Sequence, residues 1–418
     1  MLVRLIIFAT ALSFGMRLTH GNASTRVTVE RVSTVIPFPR GLAVKEGDDK
    51  LYVLARGRVR GAGGVTAEIN DRAGTLFTIN PNVGDPLTDD AGSVARNNGE
   101  VFVEPDSTVF NLWDRTTSPP ERDRYTDRPY CVLRYHEPSQ SFYICAFSGI
   151  DKPKKPGNVS FSKNLTDALF RYDLRTRQWY EIERHNIEAG GNYPHHDPEF
   201  NEPPHGRLNG PDNCLPLGQW LYAVGKDNDC LVRYDLSDII RDPAAPAPQS
   251  YPVLSSAVLV KGQGKQYLYG HSALAFEGGY LYVGTRTSSV IFRIALDETF
   301  EPVQPIEAEV VAYFDPFDPV SMASANITDM AFDDKGRLYV ISAKPSQVYR
   351  FKPDPVNIYD ARNKKQAPWV DLAAITNNPK MKSENVLFYN GYLYVTSGDG
   401  YAYQHGADGA VYRVAVWD

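Results

Sequence analysis

A tyrosine-centred strand unit recurs along the whole chain and leaves few folds open to it. Its clearest copy runs His271-Ser272-Ala273-Leu274-Ala275-Phe276, a turn at Gly278-Gly279, Tyr280-Leu281-Tyr282-Val283, a polar turn, then Val290-Ile291-Phe292-Arg293-Ile294. Apolar, aromatic and β-branched runs of this length between Gly and Ser clusters spell antiparallel strands, not helices. The middle strand returns as Leu51-Tyr52-Val53, Phe142-Tyr143-Ile144, Leu221-Tyr222-Ala223, Leu338-Tyr339-Val340 and Leu393-Tyr394-Val395. The third strand returns as Leu76-Phe77-Thr78-Ile79 and then, with an arginine, around Arg171, Arg233, Arg350 and Arg413. From Tyr222 onward the tyrosines stand 60, 57 and 55 residues apart. β-only units at that period predict an all-β, six-bladed β-propeller with four strands per blade.

Six copies use up nearly all of the 418 residues, so residues 24–418 are expected to form one domain. The chain stops at the third strand of the last copy, while a strand-like segment, residues 26–37, precedes the first. That segment is expected to lie beside Val411–Val416 as the outer strand and close the ring, which removes open sheet edges. Insertions fall at about 81–128, 151–165 and 186–210. Gly99–Val103 with Thr108–Trp113 offers a seven-bladed alternative. Ser118-Pro119-Pro120 and the charged run to Arg128 leave no outer strand for a further blade, which favours six blades with an added hairpin or outer strand there. Outer strands are also expected at Val253–Val260, Glu309–Phe314 and Trp369–Ala374.

The first residues read as a secretory signal: Arg4, an apolar core from Leu5 to Met16, and small residues at Gly21-Asn22-Ala23 before Ser24. An exported location, extracellular or periplasmic, is therefore expected. No stretch is long and apolar enough to predict a membrane span. A net charge of −6 gives no reason to expect nucleic acid as a partner. The four cysteines suit an oxidising compartment; Cys131–Cys145 and Cys214–Cys230 are the favoured disulfides among three connectivities, with buried free thiols as the alternative. Sequons at Asn158, Asn164 and Asn326 admit glycosylation in a eukaryotic host, and Asn22 would leave with the signal.

Aligned copies bring a polar set to the start of the innermost strands, where a propeller opens its central channel. In ring order these are Arg40, Arg128, Asp212 with Asn213, His271, Asp329, and Glu384 with Asn385. Arg40, Arg128, Asp212, His271 and Glu384 are the expected ligand contacts. The oxygens of Asn213, Asp329 and Asn385 are candidate ligands for Ca2+, with His271 the candidate proton-transfer residue beside it. His195-His196-Asp197, in the link before Asp212, is a weaker candidate for Zn2+ or Cu2+ and for a lid. The arginines of the third strand are expected to pair with carboxylates between blades.

At Gly336-Arg337-Leu338-Tyr339-Val340 with Val348-Tyr349-Arg350-Phe351, and at Pro39-Arg40-Gly41-Leu42-Ala43-Val44, the chain resembles the NHL-repeat and SMP-30/gluconolactonase-like propellers. The resemblance covers residue 26 to the C-terminus. It implies six four-stranded blades, a closing blade made from both termini and a binding face at the channel mouth. Its lactonase branch implies a divalent cation held by Glu, Asn, Asn and Asp from different blades. Asn213, Asp329 and Asn385 match three of these, and Arg40 stands where the Glu is expected. Three functions stay open: a binder of a small molecule, glycan or protein; a cation-dependent lactonase or esterase; and a scaffold without pocket chemistry.

Overall fold

The second strand of each copy is mostly apolar because both of its faces are buried. Leu51–Ala55, Ser141–Ala146, Trp220–Gly225 and Leu338–Ala343 are buried at every position, as a strand sandwiched between two neighbouring sheets must be. The structure, a computed structural model, describes residues 27–55, 74–87, 94–106, 109, 129–146, 166–186, 208, 210–225, 229–314, 326–343, 345–356, 366–379, 381–398 and 409–416. Residues 1–23, Arg128, Asn158, Asn164, His195 and His196 lie outside them.

Six antiparallel sheets form the blades of a propeller. Their innermost strands are Pro39–Val44, Pro129–His136, Pro211–Leu217, His271–Glu277, Ile327–Phe332 and Lys382–Tyr389, in blades 1 to 6. Each packs against the next, and the sixth packs against the first. Val29–Ser33 pairs antiparallel with Gly409–Ala415, Val29 opposite Val414, so the N-terminal segment closes blade 6 as expected. Asp85–Pro86 extends that sheet by a fifth short strand.

The seven-bladed alternative is ruled out by Glu100–Val103, which pairs with Leu76–Ile79 as the outer strand of blade 1. Two expected outer strands are corrected. Val253–Val260 splits: Ser250–Leu254 completes blade 3, whereas Ala257–Val260 forms a hairpin with Gly264–Tyr267 and bridges in parallel to the outer strand of blade 4. Trp369–Ala374 shortens to Val370–Asp371, because Asp371 accepts the Ala374 amide at 2.9 Å and starts a helical turn, Leu372–Ile375.

The apolar core is a ring of six clusters, one per interface between blades. Tyr222, Leu231 and Val224 of blade 3, for example, meet Leu274, Leu281 and Val283 of blade 4. At roughly 1.5–3 kcal/mol per fully buried large apolar side chain, these interfaces hold the ring. The recurring tyrosine adds a polar tip that bonds to a loop of its own blade or of the next. Tyr222 donates to the Phe300 carbonyl at 2.6 Å, Tyr339 to Asp333 at 3.0 Å and Tyr394 to the Pro81 carbonyl at 3.1 Å. The third-strand arginine sits opposite the tyrosine in register, as in Tyr222↔Arg233, Tyr282↔Arg293 and Tyr394↔Arg413. Its guanidinium lies on a ring, 3.9 Å above Trp220 for Arg233 and 3.9 Å above Tyr280 for Arg293. The expected pairing between blades holds for Arg233 with Glu301, while Arg171 and Arg293 pair with Asp173 and Glu309 of their own blades.

The disulfides expected at Cys214–Cys230 and Cys131–Cys145 are not formed. Cys145, Cys214 and Cys230 carry buried thiols. Cys214 is on the first strand of blade 3 and Cys230 on the third, with Trp220–Gly225 between them. Strands about 4.8 Å apart put these Cα atoms roughly 10 Å from each other, beyond the about 7 Å that a disulfide spans. In blade 2 the register shifts between Pro129 and Leu133, so the strands do not pair as the symmetric hairpin expected there; the side chain of Cys131 lies outside the described residues.

Two outcomes follow from this packing. Unfolding the untreated protein in guanidinium should release at least three thiols to a thiol reagent, since three are unbridged. Gly41→Val should lower stability by roughly 1–3 kcal/mol in urea unfolding, because a Cβ at Gly41 lies 2.5 Å from the Leu133 amide nitrogen across the interface of blades 1 and 2.

Candidate functional site

Every innermost strand breaks register near its start. The shift falls between Pro39 and Gly41, Pro211 and Asn213, His271 and Ala273, Ile327 and Asp329, Ser383 and Asn385, and, more widely, between Pro129 and Leu133. A bulge bends its strand and re-aims the side chains around it. The inserted residues turn sideways and tie blades together: Ser272 donates to the Ile327 carbonyl at 2.7 Å, and Thr328 to the Ser383 carbonyl at 3.1 Å. Arg40 pairs with Glu384 across blades 1 and 6, and Asp212 with Arg286 across blades 3 and 4 at 2.8 Å.

The residue after each bulge turns to the axis. Asn213 of blade 3 donates through Nδ2 to Asp329 Oδ1 at 2.7 Å, although blade 4 stands between their strands. Asn385 Nδ2 donates to Asp329 Oδ2, and the Val386 amide reaches the same oxygen at 3.0 Å. Asn385 Oδ1 accepts the Leu42 amide at 2.8 Å, which ties in blade 1. Asn213, Asp329 and Asn385 are all buried. Blade 4 contributes only Ala273 at this position and blade 1 only Gly41.

Arg134 completes the cluster from blade 2, which stands opposite blade 5. Its Nη2 lies 2.7 Å from Asp329 Oδ1 and 3.5 Å from Asn213 Oδ1, so an ion pair crosses the channel. Burial pushes the Asp329 carboxyl up, while Arg134, the Val386 amide and Asn213 pull it back down. Sequence reading missed Arg134 because it lies within the strand and not at its start. A signal was present: opposite the recurring tyrosine, the innermost strands carry Ala43, Leu215, Ala275, Ala331 and Leu387, and blade 2 alone carries an arginine. Arg286 was missed for a similar reason, sitting in the turn after a second strand.

The expected residues therefore separate. Arg40, Asp212, Asn213, Asp329, Glu384 and Asn385 gather at the start of the innermost strands; Arg128 lies outside the described residues. His271 stands apart, fully buried with its ring against Phe292 at 5.6 Å. Burial holds its pKa down at about 4 against the pull of Asp229, and no hydrogen bond joins it to the axial cluster. A general-base role on a ligand at the axis does not suit that position. Asn326 is half-buried and Thr328 of its sequon is buried.

The cluster also fits a divalent cation poorly. An ion placed 2.3–2.6 Å from oxygens of Asp329 and Asn213 would meet the guanidinium already bonded to them. The amide nitrogens of both asparagines point at the carboxylate. Among the described residues no group of three or more His, Cys, Asp and Glu is arranged to hold a metal.

No family model matches the chain, and no curated protein does. Solved structures resemble it in shape. Soluble aldose sugar dehydrogenase from Escherichia coli is 13% identical, with 94% of this chain and 100% of that one covered and a TM-score of 0.46. A luciferin-regenerating enzyme is 12% identical over 93% and 95%, with a TM-score of 0.45. A gluconolactonase from Xanthomonas campestris is 12% identical over 95% and 93%, with a TM-score of 0.42. At that distance none of them speaks to what this chain does.

His271 makes stability depend on pH. Its pKa is about 4 in the fold against 6.5 ordinarily, so between these values the unfolded chain takes up a proton that the folded chain refuses. Stability should rise with pH across that window, by up to roughly 3 kcal/mol from this residue. Urea unfolding should show a higher midpoint at neutral pH than at the acid end, and His271→Phe should reduce the difference without abolishing it, because burial also holds His136 down at about 4.

Proposed function

We propose that this chain is a ligand-binding propeller whose ligand, a glycan in preference to an ion, seats on the channel face where the innermost strands begin. The observation that carries the reading is the pairing of charge there. Arg40–Glu384, Arg134–Asp329 and Arg286–Asp212 each match one cation to one carboxylate. Among the described residues these three pairs leave no excess of either sign there to draw an ion, yet set donors beside acceptors. Neighbouring sugar hydroxyls, which donate and accept at once, suit that arrangement. The side chains keep an edge in water, with 12% of Arg134, 13% of Glu384 and 28% of Arg286 exposed. The leader-like Arg4–Ala23 stretch supports a role outside the cytoplasm, where glycans and protein segments are the accessible partners.

A cation-dependent lactonase or esterase is the second reading, favoured by the convergence of Asn213, Asp329 and Asn385 from three blades. Arg134 weighs against it, because its charge already neutralises the carboxylate a metal would need.

Both readings meet in one experiment. The purified protein is screened on a glycan array and assayed against aryl esters and γ- and δ-lactones, with and without Ca2+. Retention of a glycan, weakened about tenfold or more by Glu384→Gln, is expected, since one charge-assisted hydrogen bond contributes about 1.5–3 kcal/mol. Ca2+-dependent turnover abolished by Asp329→Asn would overturn the reading in favour of the hydrolase. A blank array would remove the glycan assignment.

A further inference from the structure

We infer that the axial cluster is a cation site whose cation is part of the chain: the guanidinium of Arg134. The inference deepens the metal-independent reading above and rests on the electrostatics of one carboxylate. Asp329 is fully buried, and Arg134 is the one basic side chain paired with it among the described residues. A carboxylate in that position needs a positive charge beside it, because an unpaired buried charge is among the costliest defects a fold can carry.

The surroundings of the guanidinium are those of a small oxygen cage. Nη2 faces Asp329 Oδ1 at 2.7 Å and Asn213 Oδ1 at 3.5 Å, while Nη1 faces the Leu133 carbonyl at 3.4 Å. Asp329 Oδ2 is held from behind by Asn385 and the Val386 amide, so the carboxylate cannot swing away to find another partner. Arg134 has to cross from blade 2 to reach this cage. The matching place on the other innermost strands holds only alanine or leucine, so nothing there can replace it. Truncating Arg134 therefore leaves a cavity at the axis, walled by carboxylate and carbonyl oxygens and open to water where 12% of the side chain was exposed. Such a cavity takes up a cation of the lost shape, guanidinium, or a hard ion that accepts oxygen ligands, Ca2+.

The test uses the full chain with Arg134→Ala. Its melting temperature should fall by several degrees. Guanidinium chloride at low-millimolar concentration or CaCl2 at matched ionic strength should restore at least half of that loss, with NaCl as the control and the parent protein unmoved. Rescue by guanidinium alone defines a planar cation site, and rescue by Ca2+ a hard-ion site; either supports the inference. A variant as stable as the parent, or one that neither cation rescues, overturns it. If Arg134→Ala does not accumulate folded, the double variant Arg134→Ala with Asp329→Asn removes both charges. It should fold and ignore both cations, and failure to recover would overturn the inference. A blank glycan array leaves this result untouched, and failed rescue leaves glycan binding untouched, so the two readings fail separately.

Discussion

A sheet buried on both faces cannot stand alone, and that constraint runs through this whole structure. Each blade has an apolar second strand that needs a neighbour on either side, so an open row would leave two wet apolar faces. Closure is the remedy. It is made by pairing Val29–Ser33 with Gly409–Ala415, the two ends of the described chain, with Arg413 bonded to Glu30 at 2.6 Å to secure the join. Six interface clusters, one between each pair of neighbouring blades, then carry the apolar load around the ring.

Closure also creates the channel, and the channel creates the site. Parallel innermost strands bring their starts to one end of the axis. The recurrent bulge divides the labour there, with one residue turned to the neighbouring blade and the next to the axis. A carboxylate so placed is far from bulk water and close to side chains from distant sequence. The chain resolves its charge with an arginine from the opposite blade. The result is a neutralised polar plug that bonds blades 1, 2, 3, 5 and 6 into one network.

Much of this was legible in the residues. Tyr52, Tyr143, Tyr222, Tyr282, Tyr339 and Tyr394 mark six blades because each must bury a ring while its hydroxyl finds a partner, a combination that phenylalanine does not satisfy. Asn213, Asp329 and Asn385 stand out as polar residues at equivalent places in three copies, and a closed ring brings equivalent places together. His271 shows the limit of the same reasoning. It occupies a comparable place in blade 4, but on the other side of the bulge from Ala273, so it is turned into the core beside Phe292.

By itself, then, the amino-acid sequence determined the repeated inner strands of each blade and the closing of the ring, because those follow from local pattern, repeat length and the cost of an open edge. Only the tertiary structure decided which charges meet. Whether Arg134 reaches Asp329, whether Cys214 can approach Cys230, and which blade receives Ala257–Val260 depend on strand spacing, on bulges a few residues long and on the reach of single side chains across the axis. Such quantities arise between copies of the repeat, and no single copy encodes them.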